Sequence, residues 1–425
     1  MKVAVVGLGA AGLRSAMLLE QAGVTVSLFE ARKRLGGRIH TVKKGKAVYD
    51  AGGEWLDADH YRCLSLLDEL DLEVDRKTGW PGKVRFNGKE CWENTLWNEA
   101  LEDELRVEAT AREMCRDLDP LPWKNSHHRE WEARTLADFL RENTSSKAGL
   151  FWVWARYRSD EGDDPERISL LGWLCGYLHY INRDSDAMSQ YRLPHGMGAM
   201  IDGMAARINA KPHIGTVLKR IHQDSESVRL QFDTHEVEVD RVIVTIPPPA
   251  LEQVVFEPAL SGAKRCSIEA CRMSQAIKIV WEFDHAWWRD QEWNGSLLCD
   301  GPIQQVWEAT RGGTPVLAAY VCGDDARRWI SELDPVEASV KALIQMYPIA
   351  EKHFVRGWVH NWLADPFSQG AFSHLAPGYV LDFMQFIAPP EGRVHFAGEH
   401  TSIRTGFIEG ALESAERVVQ EILDA

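Results

Sequence analysis

The stretch that most constrains this chain is residues 3–40, VAVVGLGAAGLRSAMLLEQAGVTVSLFEARKRLGGRIH. An apolar run over residues 3–6 meets Gly7-Leu8-Gly9-Ala10-Ala11-Gly12. A helical pattern continues to Gln21, Gly23 ends it, and a second apolar run stops at Glu30. The pattern predicts strand, helix and parallel strand, with a glycine turn between the first two. Gly7 permits the tight turn, Gly9 lets backbone approach a pyrophosphate, and Gly12 lets the helix lie close to the sheet. The first helical amides, that of Ala11 among them, are unsatisfied donors at a positive dipole end and suit a phosphate. Glu30 stands eighteen residues after Gly12, where a carboxylate accepts from a ribose diol. A βαβ unit of this kind predicts an α/β fold that binds a dinucleotide.

The residues after Glu30 narrow the dinucleotide. Arg32 and the turn Gly36-Gly37-Arg38 come next, and a nicotinamide-binding unit has no need of this second glycine pair. The run E-A-x-x-x-x-G-G-R resembles the flavin-containing amine oxidase family, in which the arginine matching Arg38 reaches the FAD phosphates. The resemblance implies a Rossmann-like FAD-binding domain joined to a second, α+β substrate domain.

Composition fits that frame. The chain has 425 residues, 45% of them hydrophobic, enough for two domains, and its formal charge of −15 disfavours nucleic acid or an anionic membrane as partner. Its 8 cysteines are scattered without metal-ligand spacing, so no metal is expected and the thiols read as reduced and cytoplasmic. Met1-Lys2 leads straight into the first strand, leaving no room for a signal peptide, and no uncharged apolar stretch of membrane-spanning length occurs. Of the 17 tryptophans, all but Trp55 fall in residues 76–194 or 261–384. The remaining residues, 1–75, 195–260 and 385–425, read as one FAD-binding domain in three pieces. The tryptophan-rich pieces are the substrate domain.

Further along, Asp50-Ala51-Gly52-Gly53-Glu54-Trp55 resembles the family segment that passes beside the flavin ring, and glycines suit such close approach. Asp57 then matches a position where some polyamine-oxidising relatives place an ammonium-binding group. Trp55 stands where amino-acid oxidases can carry an arginine. Trp152 and Trp173 suit either a cavity wall or the core. A helix is expected over 199–208, a hairpin over 228–239, and a buried strand over 240–247. Leu218 matches the residue that meets adenine through its backbone.

Alternation over 276–283 puts Ile277, Ile279, Trp281 and Phe283 on one face and Lys278 on the other. The pattern alone makes Lys278 a solvated strand lysine. The resemblance implies a partly buried lysine that holds a water near flavin N5. Trp362, in Asn361-Trp362-Leu363-Ala364-Asp365-Pro366, resembles the segment reaching the flavin edge. Ala371 replaces the cysteine of relatives with covalent flavin, so FAD is expected to be non-covalent. The last segment, with Gly398, Glu399, Gly406, Phe407 and Ile408, matches the stretch near the ribityl chain and pyrimidine. Phe372 and Phe407 match the two walls of an aromatic cage around the amine.

The expected activity is FAD-dependent amine oxidation. Hydride passes to N5, an imine and then an aldehyde form, and O2 is reduced to hydrogen peroxide. An amino-acid, amide or indolic substrate would need a carboxylate-binding cation, for which Arg404 is the candidate. A carbon–carbon desaturase and a non-catalytic flavin-binding protein are the remaining readings. A homo-oligomer is compatible with the sequence.

Overall fold

The computed structural model describes residues 1–76, 80–181 and 188–425. The opening stretch folds as its spacing predicts: β1 (Lys2–Val6), α1 (Ala10–Gln21) and β2 (Thr25–Glu30). Five strands pair in the order Val394–Phe396, Arg241–Val244, β1, β2 and Pro212–Ile214, every pair parallel. Period-two alternation along β1 sorts its side chains between two cores. Val3 and Val5 pack with Leu13 and Met17 of α1 and with Leu412, Val418 and Ile422 of the last helix, α2 (Ile408–Leu423). Ala4 and Val6 face Leu218, Leu230 and Phe232 of a four-stranded sheet that covers the other side. Burial on both faces is why this sheet reads as continuous apolar runs.

The hairpin Val228–Phe232 with Glu236–Val239 is antiparallel, Val228 opposite Val239. The helix expected over 199–208 runs Gly198–Ala206, and the strand expected over 240–247 is Arg241–Val244.

A seven-stranded sheet builds the other part of the fold, in the order Phe354–Asn361, β3 (Ala276–Phe283), Val316–Cys322, Gln305–Glu308, Leu297–Cys299, Lys83–Phe86 and Lys89–Trp92. Ile277, Ile279, Trp281 and Phe283 of β3 pack with Trp287, Trp288 and Trp293, so the tryptophan-rich text is largely core. Removing one such ring would cost about 3–5 kcal/mol. The opposite face of β3 is also buried, against a wall that includes Tyr49, Ala51 and Trp307. Helices Asn98–Met114, Leu136–Glu142, Lys147–Glu161 and Leu170–Tyr177 enclose a further core around Trp173. The site lies where the parallel sheet, the seven-stranded sheet and these helices converge.

Candidate active site

A cavity of about 1530 Å³ runs from the turn after β1, past β3, to Trp80 and Leu101 on the outside. Ligand clefts commonly measure about 300–1,000 Å³, so there is room for a large cofactor and a second molecule together. The expected residues Gly7, Gly9, Ala11, Glu30, Arg32, Gly37, Arg38, Gly53, Glu54, Trp55, Asp57, Leu218, Lys278, Trp362, Phe372, Gly398, Glu399, Gly406, Phe407 and Ile408 all reach its wall. Gly12 and Arg404 do not. Gly12 lies behind the turn, where a Cβ would stand 1.9 Å from the Gly7 carbonyl oxygen, so only glycine lets α1 start there. Arg404 borders a separate cavity of about 50 Å³ with Glu161, His179 and Thr405.

At the nucleotide end the donor set suits a pyrophosphate. Helix α1 has no side-chain cap at Gly9 and no acid in its first turn, leaving its first amides for an anion. Gly7 has φ +93°. The Glu30 carboxylate accepts from the amides of Leu8 at 2.8 Å and Arg32 at 2.9 Å, which fixes it at the cavity rim with lone pairs to spare for a diol. Arg32 donates to Asp365 at 2.5 Å and Ser368 at 2.7 Å. Arg38 donates to Glu399 at 2.8 Å and to the Ala371 carbonyl at 3.1 Å. No cysteine stands among the described residues that line the cavity. The glycine cradle, open amides and carboxylate rim fit a flavin dinucleotide.

Midway, a buried ionic cluster stands under the cavity wall. The Lys278 ammonium donates to the carbonyls of Asp50 at 2.9 Å and Gly52 at 3.1 Å and to Glu54 at 2.9 Å. The solvated strand lysine that alternation suggests is therefore not what the fold contains, because the outer face of β3 is covered. Glu54 also accepts from Arg311 and from the Trp307 indole at 3.2 Å, with Arg192 at 3.8 Å. Burial alone would raise the Glu54 carboxyl, but the cations Lys278, Arg311 and Arg192 hold it down to about 2. Asp50 moves upward, through burial and then the charge of Glu54. Sequence reasoning missed Asp50 as an ionic partner, and with it Arg192, Trp307 and Arg311. A lone arginine in a Thr-Arg-Gly-Gly turn carries no local signal.

Across the seven-stranded sheet, register puts His360, Lys278, Tyr320 and Gln305 in one row, and the last three line the cavity. Ser159 donates to Gln305 at 2.5 Å across the far end. Trp152 reaches the wall, whereas Trp173 is core. At the inner end Phe372 and Phe407 contribute rings to both cavities. The Phe407 ring meets His60 edge-on at 5.2 Å between centroids. Asp57 is buried, not an exposed loop residue, and accepts from the Ser189 amide at 2.7 Å. Asp57, Asp59 and His60 bring one ligand atom each within 4.8 Å of one another.

Similarity to known proteins points the same way. The model of the family described as flavin containing amine oxidoreductase matches residues 10–423. Amine oxidase [flavin-containing] A of Canis lupus familiaris is 25% identical, over 100% of this chain and 85% of its own. A probable flavin-containing monoamine oxidase A of Dictyostelium discoideum is 24% identical, over 99% of this chain and 97% of its own. Among solved structures, putrescine oxidase bound to putrescine superposes with a TM-score of 0.91 at 20% identity, covering 100% of both chains. Cyclohexylamine oxidase of Brevibacterium oxydans does so at 0.89 and 21% identity, over 100% of this chain and 98% of its own. At these identities the superpositions show a shared fold.

Proposed function

Because the chain belongs to the flavin-containing amine oxidoreductase family and is an FAD-dependent amine oxidase, we propose that it holds FAD non-covalently in the large cavity. We further propose that it oxidises a primary or secondary amine there with O2 as acceptor and hydrogen peroxide as product. The observation that carries this reading is the continuity of one cavity from the glycine cradle through Lys278 to Phe372 and Phe407.

In this reading the amides of the Gly7 to Gly12 turn and Arg38 hold the pyrophosphate, Glu30 the ribose, and Leu218 the adenine. Gly53, Trp55, Trp362, Gly398, Glu399, Gly406 and Ile408 frame the ring system and its ribityl chain. When bound, FAD would supply the redox chemistry, accepting the hydride of the amine's α-C–H bond so that C–N becomes C=N. The chain supplies orientation and dryness. Phe372 and Phe407 offer no hydrogen-bond acceptor, so an ammonium loses solvation between them and the neutral amine is favoured. Asp57 borders the cavity beside His60, and in this reading it would meet a second amine of the substrate. A carboxylate-bearing substrate has less support, since Arg404 lies outside the main cavity.

Ala371 at the cavity wall, with no lining cysteine among the described residues, supports non-covalent FAD. All eight cysteines are free, which supports a reducing, cytoplasmic setting. Among the described residues no helix is long and apolar enough to cross a membrane. The division of the chain at about 76, 195, 261 and 385 is proposed on the same basis, the provenance of the strands in the two large sheets. An anaerobic titration tests the function: candidate amines should bleach the flavin band, and oxygen should restore it with release of hydrogen peroxide. A panel of mono- and diamines that leaves the band unchanged would refute it.

A further inference from the structure

Behind the aromatic wall lies the second cavity, a recess of about 50 Å³. Phe372, Phe407 and His60 border both it and the large cavity, so the recess and the amine slot share one partition. A water-sized molecule needs about 10–15 Å³, which gives the recess room for a small ion with its water and none for an amine of several carbons.

The end of one helix sets its charge. Helix Lys147–Glu161 stops at Gly162, in the left-handed region at φ +67°, whose amide donates to the Arg158 carbonyl. Asp160 and Glu161 border the recess from that last turn, where the helix dipole is negative. Glu161 keeps some exposed surface because it borders the recess, yet its depth in the fold pushes its carboxyl up to about 8, with the charge of Asp160 adding to the rise. Arg404, His60 and His179 also border the recess, but among the described residues no cation offsets the effect of burial on Glu161. A carboxylate at such depth is stabilised by any cation small enough to enter.

The walls select among cations. Two aromatic rings cannot complete the oxygen shell that sodium or potassium takes, whereas an ammonium ion pairs its N–H donors with a carboxylate and rests against a ring. Amine oxidation makes that ion. A primary amine gives the imine R–CH=NH; water adds to its carbon, the C–N bond breaks, and ammonia leaves the aldehyde and takes up a proton.

We propose that the recess is a binding site for the product ammonium ion, with the Glu161 carboxylate as its counter-charge. This site rests on the amine-oxidase reading and sharpens it to primary amines, the class that releases ammonia.

The test titrates ammonium chloride against sodium chloride at constant ionic strength, with the wild-type holoenzyme and Glu161→Gln, and reads the thermal midpoint with no amine present. Ammonium should raise the wild-type midpoint by about 2 °C over sodium near saturation, and Glu161→Gln should lose that gain. Below pH 8 the wild-type Kd for ammonium should rise about tenfold per pH unit, because only the ionised carboxyl binds, and Glu161→Gln should show no such slope. Glu161→Gln removes a buried charge and keeps the shape of the side chain, so in sodium it should melt no lower than wild type. Equal wild-type midpoints in ammonium and sodium, an equal gain with potassium chloride, or an undiminished gain in Glu161→Gln would overturn the site. Flavin that no amine bleaches would end the amine reading alone, since the midpoints are read without turnover.

Discussion

Arg38 donates to Glu399 at 2.8 Å, closing a link between two stretches 361 residues apart in the chain. Glu399 also accepts from the Ser373 hydroxyl at 2.6 Å and amide at 3.1 Å and from the Gly406 amide at 2.7 Å. Burial works against its charge, but Arg38, His400 and these donors prevail and hold the carboxyl below its ordinary value. The pair thus ties the glycine-arginine turn, the Phe372 wall and the start of α2 together beside the cavity.

Glu399→Gln should therefore loosen three segments at once. The amide would turn an NH2 toward donors and leave Arg38 without its counter-charge. We expect a loss on the order of 3 kcal/mol in urea unfolding and weaker FAD retention on gel filtration. A variant with wild-type unfolding and full flavin would show the pair to be dispensable.

Acid should expose the cluster under the wall. Glu54 has a native value of about 2 against an ordinary value of 4.5, so between those limits the unfolded chain binds the extra proton. Its contribution is fully present above about 4.5 and is lost as pH falls toward 2. Urea midpoints measured from pH 6 down to pH 3 should fall more steeply for wild type than for Glu54→Gln. Parallel curves would contradict the assignment.

The Phe372 ring is boxed by two glycines in the left-handed region. A Cβ at Gly162, φ +67°, would stand 2.5 Å from its Cζ, and one at Gly406, φ +83°, 3.0 Å from its Cδ2. Gly162→Ala should cost about 1–2 kcal/mol in backbone strain and push the ring into the slot. Steady-state assays should show a higher amine KM with FAD content unchanged. An unaltered KM would place the ring outside the amine path.

Ala371 at the cavity wall predicts a cofactor that leaves with the fold. After acid or heat denaturation and filtration, all yellow absorbance should pass into the filtrate, as free FAD by chromatography. Colour retained on the precipitate would show a covalent bond.

The glycine turn, α1 and the acid ending β2 were legible because each depends on neighbours within one or two turns of chain. Gly7 and Gly12 are demanded by local backbone geometry, and period-two alternation already separated the two faces of β3. Lys278 was not legible by the same route. Alternation marks the face on which a side chain lies and is silent on whether that face is covered, and here it is covered by the wall from Tyr49 to Glu54. Arg404 was out of place for a related reason: proximity to Phe407 in sequence left it on the far side of the ring, against the smaller cavity.

By itself, then, the order of residues determined a βαβ cradle for a dinucleotide, its glycine-arginine extension and the faces of its strands, all consequences of backbone sterics and side-chain period. The tertiary structure alone decided that Glu54 would meet Arg311, 257 residues away, and that three carbonyls would converge on Lys278 and Trp362. Charges buried under a sheet are stable only in pairs, and the partner is chosen by which segments the fold brings together.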